Sequence, residues 1–274
     1  MPLVRIAGPD DPRVAPYRNV SDSELLRRHG LFVAEGRLVV QRLIESGRFR
    51  VRSVLVNEAA WRALEPCCGR PGSDIDVYLG SSRDFEDLTG YNIHRGCLAL
   101  VERPRSPSIE SVLSTARLVI VLEHVANADN VGGVFRNAAA FGADAVLLSP
   151  TTCDPLYRKA VRTSMATTLR VPFATLDHES GEWPAALSEL RRRGFALAAM
   201  TPREPSQDLE EFIQQTRHGR LAVLFGAEGA GISRDAEVAA DYRVRIPIVP
   251  GVDSLNLAVA SGIVLYRLLA RRAG

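Results

Sequence analysis

Three short stretches of this chain carry residue types that could handle an anion or a polarised ligand. The first runs from Glu123 through Asn127, Asn130, Gly132, Gly133 and Arg136 to Ala138. A helix beginning near Asn130 would place Arg136 under two turns further on, with its side chain leaning back toward the helix start. Asn130 and Arg136 could then reach one anionic group where unpaired N–H groups already favour a phosphate. The plainer alternative is an asparagine cap followed by a solvated arginine. The second stretch has the spacing G-x-x-G-x-G at Gly226, Gly229 and Gly231. Its glycines let backbone approach a ligand closely, and Glu228 within it is either a ligand contact or a structural acceptor. In the third, Pro247, Pro250 and Gly251 constrain the path, Ser254 stands where the cap of the last helix should be, and Asn256 follows within the first turn.

Each stretch follows an apolar run and leads into a helical pattern. The runs at 118–122, 145–148, 195–200, 221–225 and 242–246 read as strands, several of them apolar without interruption, as in strands buried on both faces. Between them, 131–141, 183–193, 234–239 and 255–270 show helical spacing. This alternation predicts an α/β domain with a parallel sheet covered on both sides, whose ligand sits beyond the carboxyl ends of the strands. A dinucleotide-dependent oxidoreductase is disfavoured. The Rossmann fingerprint is G-x-G-x-x-G on the first strand of its unit, with an acid about 20 residues on. Here the loop lies near the C-terminus, and no crossover helix of normal length fits between Gly226 and Asp241.

Upstream, 31–34, 51–56, 75–79 and 97–101 read as strands and 36–46 as a helix stopped by Gly47. They form a small α/β unit over 21–103, after a polar, proline-punctuated arm at 1–20. The charged, two-proline stretch from Glu102 to Ser108 opens a stiff linker assigned to 104–116, and the second domain is assigned to 117–274.

At 274 residues, 46% hydrophobic and 24% charged, the chain has the composition of a globular protein with a substantial core, which excludes disorder and collagen. A net charge of +2 is too balanced to announce nucleic-acid binding by charge alone. Of the 34 basic residues all but Lys159 are arginine. Arginine suits phosphate and stacked bases, and a coding bias would give the same composition. No apolar run reaches 18 residues, and the N-terminus has charges and prolines where a signal peptide needs an apolar run, so no membrane association is expected and the cytoplasm is the expected address. Cys67, Cys68, Cys97 and Cys153 form neither a C-x-x-C nor a zinc-spaced cluster, so free thiols and no metal are expected.

Taken together, the three stretches resemble the SpoU (TrmH-like) family of RNA ribose 2′-O-methyltransferases, within the SPOUT superfamily. Asn130, Gly132, Arg136 and Ala138 match its N-x-G-x-x-x-R-x-A motif; Gly226, Glu228, Gly229 and Gly231 match G-x-E-G-x-G; Ile246, Pro247, Ser254, Leu255, Asn256 and Ala260 match the last motif. The stretch Lys159 to Met165 resembles the segment before the family's fourth strand, and the likeness covers about 117–270. Phe32-Val33-Ala34-Glu35-Gly36 and the later His94-Arg95-Gly96 resemble an L30e-like substrate-binding domain. Ala227, Gly133, Asn127 and Ala166 depart from residues common in the family and leave the RNA target open.

The resemblance implies a deep C-terminal trefoil knot, S-adenosyl-L-methionine as cofactor held by backbone at Gly226, Ile246 and Leu255, and a homodimer whose site takes residues from both chains. Its catalytic residues would be Arg136, Asn130, Glu228, Ser254 and Asn256. The family proposal makes the motif arginine a base. Neutralising an arginine at pH 7 costs about 7–9 kcal/mol, so Arg136 is better read as an electrostatic stabiliser of the developing alkoxide. Asn130, Ser254 and Asn256 would fix the nucleotide and Arg136, and Glu228 would anchor its loop or orient Arg136. The L30e-like domain favours structured ribosomal RNA as partner. Transfer RNA as substrate, and a catalytically silent RNA-binding protein on the same fold, stay open.

Overall fold

The computed structural model describes residues 3–18, 21–68, 74–89, 96–176, 183, 185–215 and 219–272. The chain divides into two compact units, Met1–Arg105 with Pro155–Leu169, and Ser106–Asp154 with Arg170–Gly274.

The first unit holds a mixed five-stranded sheet of β1 (Leu3–Arg5), β2 (Leu31–Glu35), β3 (Val51–Val56), β4 (Asp76–Leu79) and β5 (Cys97–Glu102), in the order β1-β4-β3-β5-β2. Its helices are α1 (Asp22–His29), α2 (Arg37–Ser46), α3 (Glu58–Cys68) and α4 (Ser82–Thr89). α1 starts where the Ser21 hydroxyl accepts the Glu24 N–H and stops where Gly30 turns left-handed at φ 61°. Residues 3–17, expected as a loose arm, belong to the body of this unit. β1 pairs with β4, and Asp11 accepts the N–H groups of Ala7 and Arg13, folding the proline segment so that Val14 and Tyr17 point into the core. The Tyr17 hydroxyl is satisfied there by Ser53 Oγ at 2.8 Å. His94 and Arg95 lie outside the described residues.

The second unit contains α5 (Ile109–Leu113), β6 (Leu118–Glu123), α6 (Ala128–Phe141) and β7 (Ala145–Leu148). The chain then passes into the first unit as α7 (Arg158–Thr163), where Arg162 donates to the buried Glu35 at 3.0 Å. It returns through β8 (Phe173–Thr175), α8 (Ala185–Arg192), β9 (Ala196–Met200), β10 (Gln207–Asp208), α9 (Leu209–Gln215), β11 (Leu221–Gly226), α10 (Arg234–Ala239), β12 (Tyr242–Arg245) and α11 (Leu257–Arg272). The sheet order is β10-β12-β9-β11-β6-β7-β8, and every pairing is parallel. β6 and β7 are buried along their whole length, as their uninterrupted apolar sequences require. α5 falls inside the stretch expected as linker, because Val112, Leu113 and Ala116 join the sheet core.

α6 and α11 pack tightly. A Cβ on Gly133 would lie 2.5 Å from that of Ala258, and the Asn137 amide donates to the Ala258 carbonyl at 2.6 Å and to Ser261 Oγ at 2.9 Å. This contact accounts for glycine at position 133. Among the described residues no helix is long and apolar enough to cross a membrane.

Candidate active site

The glycine loop begins at the carboxyl end of β11. Gly231 donates its N–H to the Ala227 carbonyl at 2.8 Å, and Gly229 and Gly231 have φ values of 80° and 70°. A Cβ on Gly226 would collide with the Gly231 carbonyl and the Ile232 nitrogen. Glycine is therefore required at 226 by space, and at 229 and 231 by backbone conformation.

Two buried carboxylates flank this loop. Glu123, at the end of β6 and fully buried, accepts the Ser233 N–H at 2.9 Å, the Ser233 hydroxyl at 2.6 Å and the Trp183 indole N–H. Glu237, on α10, accepts the Thr201 hydroxyl at 2.7 Å and Arg203 Nη1 at 3.0 Å. Arg203 also donates to the carbonyls of Ala230 and Ile232. The sequence alone gives no role to Arg203 or Glu237, and marks Glu123 only as the opening of the first stretch. An acid closing an apolar strand run was the available signal for Glu123; nothing local pointed to the other two.

A cavity of about 660 Å³ opens beside the loop, at the carboxyl ends of β9, β11 and β12. Met200, Phe225, Val244, Ile246 and Leu255 supply apolar wall, and Gly226, Glu228, Ser254 and Asn256 also line it. Arg245 stands in the same wall. Its hydrogen bond to Asp208 at 2.6 Å, reinforced by Glu204, raises its pKa above the usual arginine value and fixes its charge.

Asn256 connects the three motif stretches. Its Nδ2 donates to Asn130 Oδ1 at 2.9 Å and to Glu228 Oε1 at 3.1 Å, which uses both amide hydrogens. Its Oδ1 accepts the Ala258 N–H at 2.9 Å, so Asn256 caps α11 and Ser254, expected there, is an exposed wall residue instead. The first motif is likewise shifted. Asn127 caps α6 by accepting the Asp129 N–H at 2.9 Å, and Asn130 lies in the first helical turn, buried, its Nδ2 without a partner among the described residues. Arg136 is exposed on α6, does not line the cavity of its own chain, and has no hydrogen-bond partner among the described residues. The structure thus brings together Gly226, Glu228, Ile246, Ser254, Leu255, Asn256 and, through Asn256, Asn130; it leaves Arg136 outside. Among the described residues no three histidine, cysteine or acidic side chains converge as metal ligands.

Residues 117–266 match the family model described as the SpoU rRNA Methylase family. A Mycobacterium tuberculosis protein described as an uncharacterized tRNA/rRNA methyltransferase is 38% identical, covering 95% of this chain and 90% of its own length. A 23S rRNA (guanosine-2′-O-)-methyltransferase of a Burkholderia species is 33% identical over 68% of this chain and 73% of its own. The SpoU methyltransferase AviRb of Streptomyces viridochromogenes, solved in complex with AdoMet, shares the fold at a TM-score of 0.78 and 20% identity, over 96% of this chain and 98% of that one.

Proposed function

The chain belongs to the SpoU rRNA methylase family, and from that premise we propose that it transfers the methyl group of S-adenosyl-L-methionine to a ribose 2′-hydroxyl of RNA, in ribosomal rather than transfer RNA. The observation that carries this reading is the Asn256 amide, which ties Asn130 and Glu228 together on the rim of one cavity. The choice of ribosomal RNA draws support from the name of the Burkholderia relative.

The cavity fits the cofactor. Its volume of about 660 Å³ lies in the usual cofactor range of roughly 300–1,000 Å³. Its walls are apolar, with main-chain groups at Gly226, Ile246 and Leu255 available to an adenosyl moiety. When bound, S-adenosyl-L-methionine supplies an electrophilic methyl carbon on a sulfonium. The protein's share is orientation and charge control. Ser254, exposed at the cavity mouth, contacts the nucleotide; Asn256, braced by the buried Asn130, shapes that mouth, and Glu228 keeps the glycine loop against Asn256. The Arg136 guanidinium would stabilise the oxygen anion that develops at the 2′ position as the hydroxyl proton passes to water; the oxygen takes the methyl group and the thioether product keeps the electron pair of the broken S–C bond.

Arg136 reaches that oxygen from a second copy of the chain. This accounts for its exposure, its lack of a partner and its absence from the wall of its own cavity. Beside it, α11 exposes Val259, Ile263 and Tyr266 at helical spacing, an apolar stripe suited to a homodimer interface. The reading also includes trefoil threading of the C-terminal segment, RNA capture by the first unit, and a cytoplasmic setting that suits the buried free thiols of Cys67, Cys68, Cys97 and Cys153.

Arg136→Ala should lower tritiated methyl transfer to total RNA by on the order of 10³-fold while calorimetric binding of S-adenosyl-L-methionine stays unchanged. Co-expression with Gly226→Val should restore activity in hybrid dimers. Near-normal turnover in Arg136→Ala would remove the arginine from the mechanism. Methylation of an RNA with 2′-deoxyribose at the mapped nucleotide would make the enzyme a base methyltransferase.

A further inference from the structure

The glycine loop is built from residues that resist holding one shape. Glycine loses more conformational freedom on ordering than any other residue, and the loop's internal Gly231-to-Ala227 bond closes only one turn. Its remaining order has to come from outside, and much of it comes from Arg203. This residue stands three positions beyond the end of β9, the strand beside β11. Its Nη2 donates to the Ala230 carbonyl at 2.7 Å and its Nη1 to the Ile232 carbonyl at 2.9 Å. Nη1 also donates to Glu237 at 3.0 Å. Glu237 is only 2% exposed and receives the Thr201 hydroxyl, whose oxygen in turn accepts the Arg203 N–H at 3.2 Å. If the guanidinium swung away, the buried Glu237 would lose its shorter ion pair and keep only Arg234, at 3.4 Å and largely exposed.

The planar fork matters here. Two carbonyls two residues apart are met by two nitrogens of fixed spacing, which an ammonium group does not have. Arg203 also forms part of the cavity wall, so the group that orders the loop stands beside whatever the loop binds.

We propose that Arg203 is a positioning residue for the methyl donor. It holds the Ala230 and Ile232 carbonyls so that the loop from Gly226 to Gly231 keeps the shape the donor requires, with Glu237 as its counter-ion. The proposal rests on reading the cavity as the S-adenosyl-L-methionine site.

Calorimetric titration of the full chain with S-adenosyl-L-methionine tests it, together with hydrogen exchange over 226–233. Arg203→Ala should weaken donor binding about 10–100-fold, because the donor must then pay for ordering the loop. Arg203→Lys, reaching one carbonyl at a time, should fall between, at about 5–10-fold. In both variants the loop amides should exchange faster when free and regain protection at saturating donor. A residue that only stabilises the fold would lower the melting temperature and leave the dissociation constant of the folded protein alone. Arg267→Ala, which removes an exposed pair with Glu210, is the control and should keep wild-type affinity. Wild-type affinity in Arg203→Ala overturns the proposal. If that variant does not fold, wild-type affinity and loop exchange in Arg203→Lys overturn it. Failure of the wild-type chain to bind the donor would sink the cavity reading and this proposal with it, an outcome distinct from either.

Discussion

The two rims of the cavity are built on opposite plans. On one side, the segment 226–233 is fastened by hydrogen bonds from Arg203, by Ser233 donating to Glu123, and by its own Ala227–Gly231 bridge. On the other, the described residues show within 247–255 a single long backbone hydrogen bond, Val252 N–H to the Val249 carbonyl at 3.4 Å. That second rim has Pro247, Pro250 and Gly251 in place of partners, and it exposes Val249 and Val252. A backbone fixed by buried charges is organised before any ligand arrives. A backbone limited only by its prolines can still move as a unit. On the proposed reading, the first rim is the donor's preorganised support, the second adds the main chain of Leu255 at its end, and the segment before Leu255 governs substrate access.

The largest effect expected from this contrast is at Gly226. A side chain there has no space, since the Gly231 carbonyl and Ile232 nitrogen already occupy it. Gly226→Val should weaken S-adenosyl-L-methionine binding by more than about 100-fold in calorimetry, because relief requires the loop to leave its anchors. Tight binding by this variant would mean that the loop is not the donor's support.

A smaller and more selective effect is expected at Asn256, where the rims meet. Asn256→Asp keeps the oxygen that caps α11 and places a negative charge at the helix N-terminus, which is favourable. It removes both amide hydrogens and sets a carboxylate beside Glu228, previously a hydrogen-bond partner at 3.1 Å. Unfolding free energy should stay within about 1 kcal/mol of wild type, while tritiated methyl transfer falls at least about tenfold. Parallel loss of both would reduce Asn256 to a helix cap.

These assignments show what the sequence exposes and what it hides. The parallel sheet could be read because β6 and β11 are short apolar runs rich in Val and Leu that alternate with stretches of helical spacing. Gly226 could be read because it ends such a strand at a motif position, and Ile246 and Leu255 only because they match the last motif, since β12 before them is short and carries two arginines. β8 and β10, of three and two residues, are too short to carry any period. The arm at 1–20 misled for the same reason: three strand residues and one proline-bearing turn show no periodicity, and Val14 and Tyr17 find the core only through β1 pairing with β4. Ser254 and Asn256 are both good capping types two residues apart, and the Ala258 N–H donated to Asn256 Oδ1 decides between them. Arg203 and Glu237 meet only because β9 lies beside β11, which is tertiary information. Arg136 sits on α6 where the motif puts it, exposed and away from the wall of its own chain's cavity.

The smallest effect should come from the second rim, and it is the one that most directly separates the two plans. Gly251 has φ 90°, a region that costs other residues about 1–2 kcal/mol, yet nothing stands within 4 Å of where its Cβ would be. Gly251→Ala therefore perturbs the path of the rim without a collision. Unfolding free energy should fall by about 1–2 kcal/mol, and the donor dissociation constant should stay within about twofold of wild type, since the anchors at Arg203 and Glu123 are untouched. The KM for RNA should rise instead, because the exposed Val249 and Val252 shift with the rim. Should Gly251→Ala loosen the donor as severely as Gly226→Val does, both rims grip it alike, and the division between a fixed wall for the donor and a compliant one for the substrate fails.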